Sequence, residues 1–186
     1  MIGLALSGGG SRAIAFHLGC LRALHDTGLL DRVSVLSTIS GGSVIGAYYA
    51  YTPQKPFNEF ETDIRGFLQT GFQHALALEL LKPWNLIPCL ISFTISQLEE
   101  VLAVAAKRPP RFSRRYSRTE LLRNVLHRNL FPGITMASPR RHDIDIMIGA
   151  CELRTGSAFR FGNQKSGGWR HGELVLNQAF SPLLVA

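Results

Sequence analysis

Cysteine is scarce in this chain of 186 residues: Cys20, Cys89 and Cys151 are odd in number, widely spaced and without metal-ligand spacing. Neither a disulfide framework nor a zinc site organises such a chain, and the three read as small buried apolar residues in a reducing compartment. Long apolar runs are missing too. The stretch Trp84 to Leu98 is broken by Pro88 and by Ser92, Thr94 and Ser96, and it falls short of the roughly 20 apolar residues that a membrane span needs. No basic segment precedes the apolar N-terminus, and Gly8-Gly9-Gly10 would interrupt any signal core, which argues against secretion. Repeats and low-complexity tracts are absent. Acidic residues are sparse in one place: Lys107 to Arg128 holds eight Lys or Arg against Glu120 alone, a local charge of +7. The other twelve basic and twelve acidic residues cancel, so the whole excess lies in that segment.

What is present is apolar material, 46% of residues against 18% charged, enough for one domain with a core. Ile2 to Leu6 reads as a short buried strand. From Arg12 to Thr27, apolar residues at Ile14, Leu18, Leu21 and Leu24 keep helical spacing up to a glycine stop at Gly28. Val33 to Ile39 alternates as a strand, and Ser43 to Tyr51 is helical until Pro53. Two parallel strands joined by a crossover helix favour a three-layer α/β domain. Phe57 to Leu81 is mostly amphipathic helix. Trp84 to Leu98 fits a core helix, with an interfacial lid as the alternative. Ser117 or Thr119 can cap a helix running to about Leu130. Asp143 to Cys151 and Ser157 to Phe161 read as paired strands around Arg154-Thr155-Gly156, and Gly162 to Gly172 as loop.

Two glycine-rich turns carry the chemistry. Ser7-Gly8-Gly9-Gly10-Ser11-Arg12 and Ser37-Thr38-Ile39-Ser40-Gly41-Gly42-Ser43 each sit between a strand and a helix, thirty residues apart. The first can aim backbone N–H groups at a developing oxyanion, and the second can hold a serine hydroxyl proud of a sheet edge. That pairing sets Ser40 apart from an ordinary turn serine such as Ser37 or Ser43.

In these features the chain resembles the patatin-like phospholipases over nearly its whole length. Gly8-Gly9-Gly10-Ser11-Arg12 and Gly19 are similar to the family's oxyanion motif and the helix behind it. Thr38-Ile39-Ser40-Gly41-Gly42, with Gly46, resembles its serine elbow. Ile148 to Gly156 is similar to its central strand and hairpin, and Gln178 to Leu184 to the segment before its catalytic aspartate. The resemblance implies a three-layer α/β/α patatin-like fold with a mainly parallel central sheet, its C-terminal part incomplete. It also implies an acyl-lipid substrate, with Ser40 as nucleophile and Gly8, Gly9, Gly10 and Gly41 as oxyanion donors. Arg12 is placed to bind lipid phosphate or brace the loop, and a solvated helix-start arginine is the plainer reading.

Three departures accompany the matches. Thr38 stands where the elbow has its first glycine, which is expected to alter the turn at Ser40. Ala13 replaces the last glycine of the first motif. The family's Ser–Asp dyad draws its aspartate from an Asp-Gly pair, and none of Asp26, Asp31, Asp63, Asp143 and Asp145 is followed by glycine. The chain therefore reads as a patatin domain truncated before its general base.

A dinucleotide fingerprint is the rival for the glycine loop, but the acid it requires near the end of the second strand is displaced by Thr38, Ile39 and Ser40. A histidine base would come from His17, His25, His74, His127, His142 or His171. His142 and Asp143, as strand neighbours, point to opposite faces, and each histidine reads as a surface or satisfied core residue. No cluster implies a metal or organic cofactor. A solvated loop, a nucleic-acid patch and an anionic membrane all suit the basic run. With an ester site nearby the membrane leads, at about 1 kcal/mol per basic residue near the lipid, and no nucleic-acid partner is expected. The single domain, residues 1–186, would then carry a lid or membrane-facing basic insertion over residues 84–130, in a cytoplasmic protein peripheral to a membrane. The function classes that follow are a lipid acyl hydrolase, a non-catalytic lipid- or partner-binding remnant of the same fold, and a nucleotide-binding module.

Overall fold

A computed structural model of the chain describes residues 2–71, 81–82, 87, 91, 94–95, 118–152, 155–163, 165–168, 170 and 172–174. It divides into two compact units, Met1–Gln69 with Asn129–Ala186, and Thr70–Arg128. The first unit holds a six-stranded mixed sheet in the order β1-β2-β3-β4-β5-β6. Its strands are β1 (Ile2–Leu6), β2 (Val33–Ile39), β3 (Asp145–Glu152), β4 (Ser157–Gly162), β5 (Ser166–Gly168) and β6 (Gly172–Leu174). β1, β2 and β3 run parallel, and the pairings from β3 to β6 are antiparallel. Ser166 to Gly168, expected as loop, forms a strand by pairing with Phe159 and Arg160 of β4.

Helix α1 (Gly10–Asp26) connects β1 to β2 and ends where the sequence says it should. Gly28, at φ 68°, takes the left-handed turn, and the Leu29 N–H donates back to the Leu24 carbonyl at 2.9 Å, closing the helix end. Helix α2 (Gly41–Tyr51) follows β2 and is buried at every position. A helix apolar on all sides belongs inside a core. It lies against the sheet face that carries Leu6, Leu36 and Thr38, and a Cβ built on Gly46 would stand 2.6 Å from the Thr38 methyl and 3.1 Å from Leu6 Cδ1. On the other face Ala5, Ser37 and Ile39 are exposed. Helix α3 (Phe57–Thr70) buries Phe57, Phe60, Ile64 and Phe67, and its Phe60 ring packs on Tyr48 and Tyr49 of α2.

The C-terminal end of α2 leaves carbonyls that Pro53 cannot help satisfy. Arg141 closes it from across the fold. Its guanidinium donates to the carbonyls of Tyr49 (3.3 Å), Thr52 (2.7 Å) and Lys55 (2.6 Å) and lies 4.7 Å over the Tyr49 ring. Burial pushes the Tyr49 hydroxyl up to about 12 against the opposing charge of Arg141. Alongside, Tyr48 donates to Asp63 at 2.6 Å, while Lys55 donates to Tyr48 at 3.0 Å and pairs with Asp63. These contacts tie the α2–α3 connection down.

Helix α4 (Arg118–Asn129), all but its last residue in the second unit, buries Leu121, Val125 and Leu126. Ile87, Ile91 and Ile95, helical and four residues apart, are about half exposed at 56%, 52% and 47%. The expectation of a core helix over Trp84 to Leu98 therefore does not hold for these three side chains. Cys20 is half-buried and Cys151 exposed, so Cys151 corrects the reading of buried cysteines. Cys89, His74, His171, the basic residues from Lys107 to Ser117 and the segment from Asn177 onward lie outside the described residues. Among the described residues no helix is long and apolar enough to cross a membrane, and no group of three or more His, Cys, Asp or Glu could hold a metal ion.

Candidate active site

β1 and β2 end side by side, with Leu6 opposite Thr38. The two glycine turns therefore leave the sheet at the same edge. Ser7, Gly8 and Gly9 lead into α1, and Ser40 alone leads into α2. Each strand turns into a helix within a few residues, and side chains in the turns would prevent it. A Cβ on Gly41 would meet the Gly10 carbonyl oxygen at 2.4 Å and its nitrogen at 3.0 Å, and one on Gly42 would meet the Leu6 carbonyl oxygen at 2.4 Å. Backbone thus lies directly on backbone. The first residues of α1 and α2, Gly10 and Gly41, touch.

Ser40 has φ 52° and ψ −124°, one of two non-glycine residues with positive φ among those described. A β-carbon is disfavoured there, and such strain clusters at sites where a side chain must be aimed. The residue is exposed, and its carbonyl accepts from the N–H groups of Ser43 (2.8 Å) and Val44 (3.3 Å), which start α2. A Cβ on Gly8 would lie 3.1 Å from Ser40 Cβ and 3.7 Å from Ser40 Oγ. The loop and the hydroxyl are therefore neighbours. Gly9 and Gly10, at φ 142° and 61°, adopt conformations that only glycine tolerates readily.

Neither α1 nor α2 has an acidic residue in its first turn or a side-chain cap, so the N–H groups of both first turns and the positive ends of two helix dipoles meet beside Ser40. Arg12, exposed on the first turn of α1, adds a full charge. The arrangement is suited to holding negative charge as it develops on an atom next to Ser40 Oγ.

Thr38 falls inside β2, not in the turn. Its methyl fits where Gly46 has no side chain, and its hydroxyl donates to the Met147 carbonyl at 3.2 Å. The bulk introduced at position 38 is thus accommodated at position 46, one turn into α2.

The aspartates stand elsewhere. Asp145 pairs with Val35, four residues before the Ile39–Gly149 pair, and so lies about 13 Å along the strand from the elbow. It accepts from Asn163 at 3.1 Å. Asp26 ends α1, about 24 Å from Gly10 along the helix, and pairs with Arg22. Asp31 precedes β2 and lies 3.7 Å from His142, and Asp63 is held by Lys55 and Tyr48. Asp143 lies in the 3-10 turn ahead of β3. Of the histidines, His25 stacks on Phe57, His127 is exposed, and His142 lies on the surface with Asp31.

His17 is the residue that sequence reasoning undervalued. It is 5% exposed, on the α1 stripe that buries Ile14, Leu18 and Leu21, and its Nε2 lies 2.9 Å from the Ser7 carbonyl oxygen. The signal was its place on that stripe, since a polar ring on a buried face needs a partner.

The profile of the patatin-like phospholipase family matches residues 4–144. The chain belongs to the patatin-like phospholipase family. It is 50% identical over 52 residues, 28% of its length, to patatin-like phospholipase domain-containing protein ZK370.4 of Caenorhabditis elegans, and it covers 4% of that protein. Two human GIVD cytosolic phospholipase A2 structures are similar in fold. One is in complex with methyl γ-linolenyl fluorophosphonate and terbium chloride (TM-score 0.55, 21% identity), the other with methyl γ-linolenyl fluorophosphonate (TM-score 0.51, 22% identity). Each match covers 92% of this chain and 24% of the human one. The chain thus spans a small part of the proteins that it resembles.

Proposed function

We propose that this chain is a serine-dependent acyl hydrolase domain for phospholipid or lysophospholipid esters, with Ser40 as its nucleophile. The observation that carries the reading is the conformation of Ser40, φ 52° at the end of a parallel strand, with Gly8 packed against its β-carbon. Ser40 Oγ adds to the ester carbonyl carbon, and the C=O pair moves onto oxygen. Amides of Gly8, Gly9, Gly10 and Gly41 supply the donors for that oxyanion, each worth about 10²–10³ in rate. Collapse of the intermediate expels the alcohol, which carries away a proton, and water then releases the fatty acid from Ser40. Arg12, at the same edge, is suited to a lipid phosphate. The +7 segment from Lys107 to Arg128 would draw the domain to an anionic membrane surface, in keeping with a peripheral protein of the cytoplasm.

One observation favours a second reading, a remnant that binds lipid without turning it over. A serine hydroxyl needs a base, the family draws its own from an Asp-Gly pair, and this chain has none. Hydrolysis of a short-chain lysophospholipid by the chain and by Ser40→Ala separates the two. Turnover that disappears in Ser40→Ala supports the hydrolase. Lipid binding without turnover, equal in both, supports the remnant.

A further inference from the structure

Gly8-Gly9-Gly10 has no side chain with which to hold its own shape, and its φ values at Gly9 and Gly10, 142° and 61°, lie where glycine is favoured over residues with a β-carbon. A bond from α1 reaches back to the loop entry. His17 Nε2 lies 2.9 Å from the Ser7 carbonyl oxygen and 3.3 Å from Ser7 Oγ. A carbonyl only accepts, so Nε2 carries the hydrogen, and the hydroxyl takes the weaker share of it. The Ser7–Gly8 peptide is trans, so its C=O and N–H point in opposite directions across one rigid plane. Holding the carbonyl toward α1 turns the Gly8 N–H away from α1. Gly8 is also the residue whose missing Cβ would stand 3.7 Å from Ser40 Oγ.

We propose that His17 is a positioning residue for acyl transfer at Ser40: its Nε2–H fixes the Ser7–Gly8 peptide and so holds the Gly8 amide ready for the oxyanion. This rests on Ser40 being the nucleophile. The ring itself touches no reacting atom and exchanges no proton with one. Its removal should leave lipid binding alone and slow the chemical step, because a misplacement of about 1 Å costs on the order of 10² in rate.

Saturation kinetics of inactivation by an alkyl fluorophosphonate, with the adduct located by peptide mass, test it. His17→Leu is expected to lower kinact about 10²-fold with KI unchanged. His17→Gln, whose amide nitrogen reaches the same carbonyl, should stay within a few-fold of the wild-type chain. His17→Asn, a methylene too short, should fall with Leu, and Ser7→Ala, which keeps the carbonyl, should react normally. A wild-type chain that gains no adduct at Ser40 rejects the nucleophile assignment itself. A labelled wild type with equal kinact in Gln and Asn variants that melt alike rejects the role of His17 alone, and this pair decides the matter should the Leu variant fail to fold. A loss in Ser7→Ala as large as that in His17→Leu would make the hydroxyl the target and overturn the proposal.

Discussion

Two glycine-to-alanine substitutions, both inside helices, should move stability in opposite directions. In an open helix interior alanine is favoured over glycine by about 1 kcal/mol. Gly19 is such a place, exposed on α1 with nothing within 4 Å of an added Cβ, and Gly19→Ala should stabilise by about 0.5–1 kcal/mol. At Gly42 the same methyl would stand 2.4 Å from the Leu6 carbonyl oxygen and 2.7 Å from the Ser7 carbonyl oxygen. Ordinary contact begins at 3.4 Å, so α2 and the end of β1 would have to separate by 3.4 − 2.4 = 1.0 Å. Both atoms are backbone, and no side chain can swing aside. Overpacking of this kind costs about 1–3 kcal/mol, so Gly42→Ala should lie about 2 kcal/mol below Gly19→Ala after the intrinsic preference is counted. For a chain of this size that is a Tm gap of about 4–8 °C, readable by circular dichroism or scanning fluorimetry. The same displacement moves Gly8 from Ser40, so fluorophosphonate labelling should fall with it. A Gly42→Ala chain that melts at or above Gly19→Ala would refute the backbone-on-backbone packing on which the site is built.

Other outcomes follow from contacts of the same kind. Arg141→Met keeps the stem over Tyr49 but strips three carbonyls of their donor, and should cost about 2–3 kcal/mol in urea denaturation; an unchanged midpoint would show that water replaces the guanidinium without loss. Burial raises the carboxyl of Asp63, but hydrogen bonds from Lys55 and Tyr48 outweigh it and hold the group below its ordinary value. Its contribution is therefore complete above the unfolded value of about 3.9 and is lost as pH falls through the lower folded value. The stability gap between the wild-type chain and Asp63→Asn should stay flat from pH 7 to about 4 and close below it; a gap that closes between pH 7 and 5 would contradict the direction. Neutralising Arg111, Arg114 and Arg115 to Gln should weaken partition onto anionic vesicles by about 3 kcal/mol, on the order of 10²-fold at low salt, and leave neutral vesicles unaffected. Equal loss on both would remove electrostatics as the cause.

Much of the site-bearing half was legible because its signals are local. Apolar spacing from Ile14 to Leu24 and the stop at Gly28 define α1, alternation defines β2, and the two glycine clusters mark the turns between strand and helix. The rest depends on distant partners. Ser166-Gly167-Gly168 has no strand pattern of its own and becomes β5 only by pairing with β4, where tertiary context overrides propensity. Thr38 looked like a defect in the elbow until its methyl was seen against Gly46, eight residues later. Arg141 gave no local hint that it would close a helix ending ninety residues earlier. Helical spacing in Ile87, Ile91 and Ile95 defines a face but does not say what covers it, and those side chains are exposed. His17 was visible as a polar residue on a buried stripe; what it bonds to was not.

The central claim is spatial, that the Ser40 hydroxyl and the amides of the glycine loop address one atom. A crystal structure of the chain after reaction with an alkyl fluorophosphonate tests it most directly. The account predicts phosphorus bonded to Ser40 Oγ, with the phosphoryl oxygen about 2.7–3.1 Å from amides of Gly8 to Gly10 and of Gly41. A Ser40 adduct whose phosphoryl oxygen points to solvent, away from those amides, would contradict it, as would phosphorus bonded to another residue.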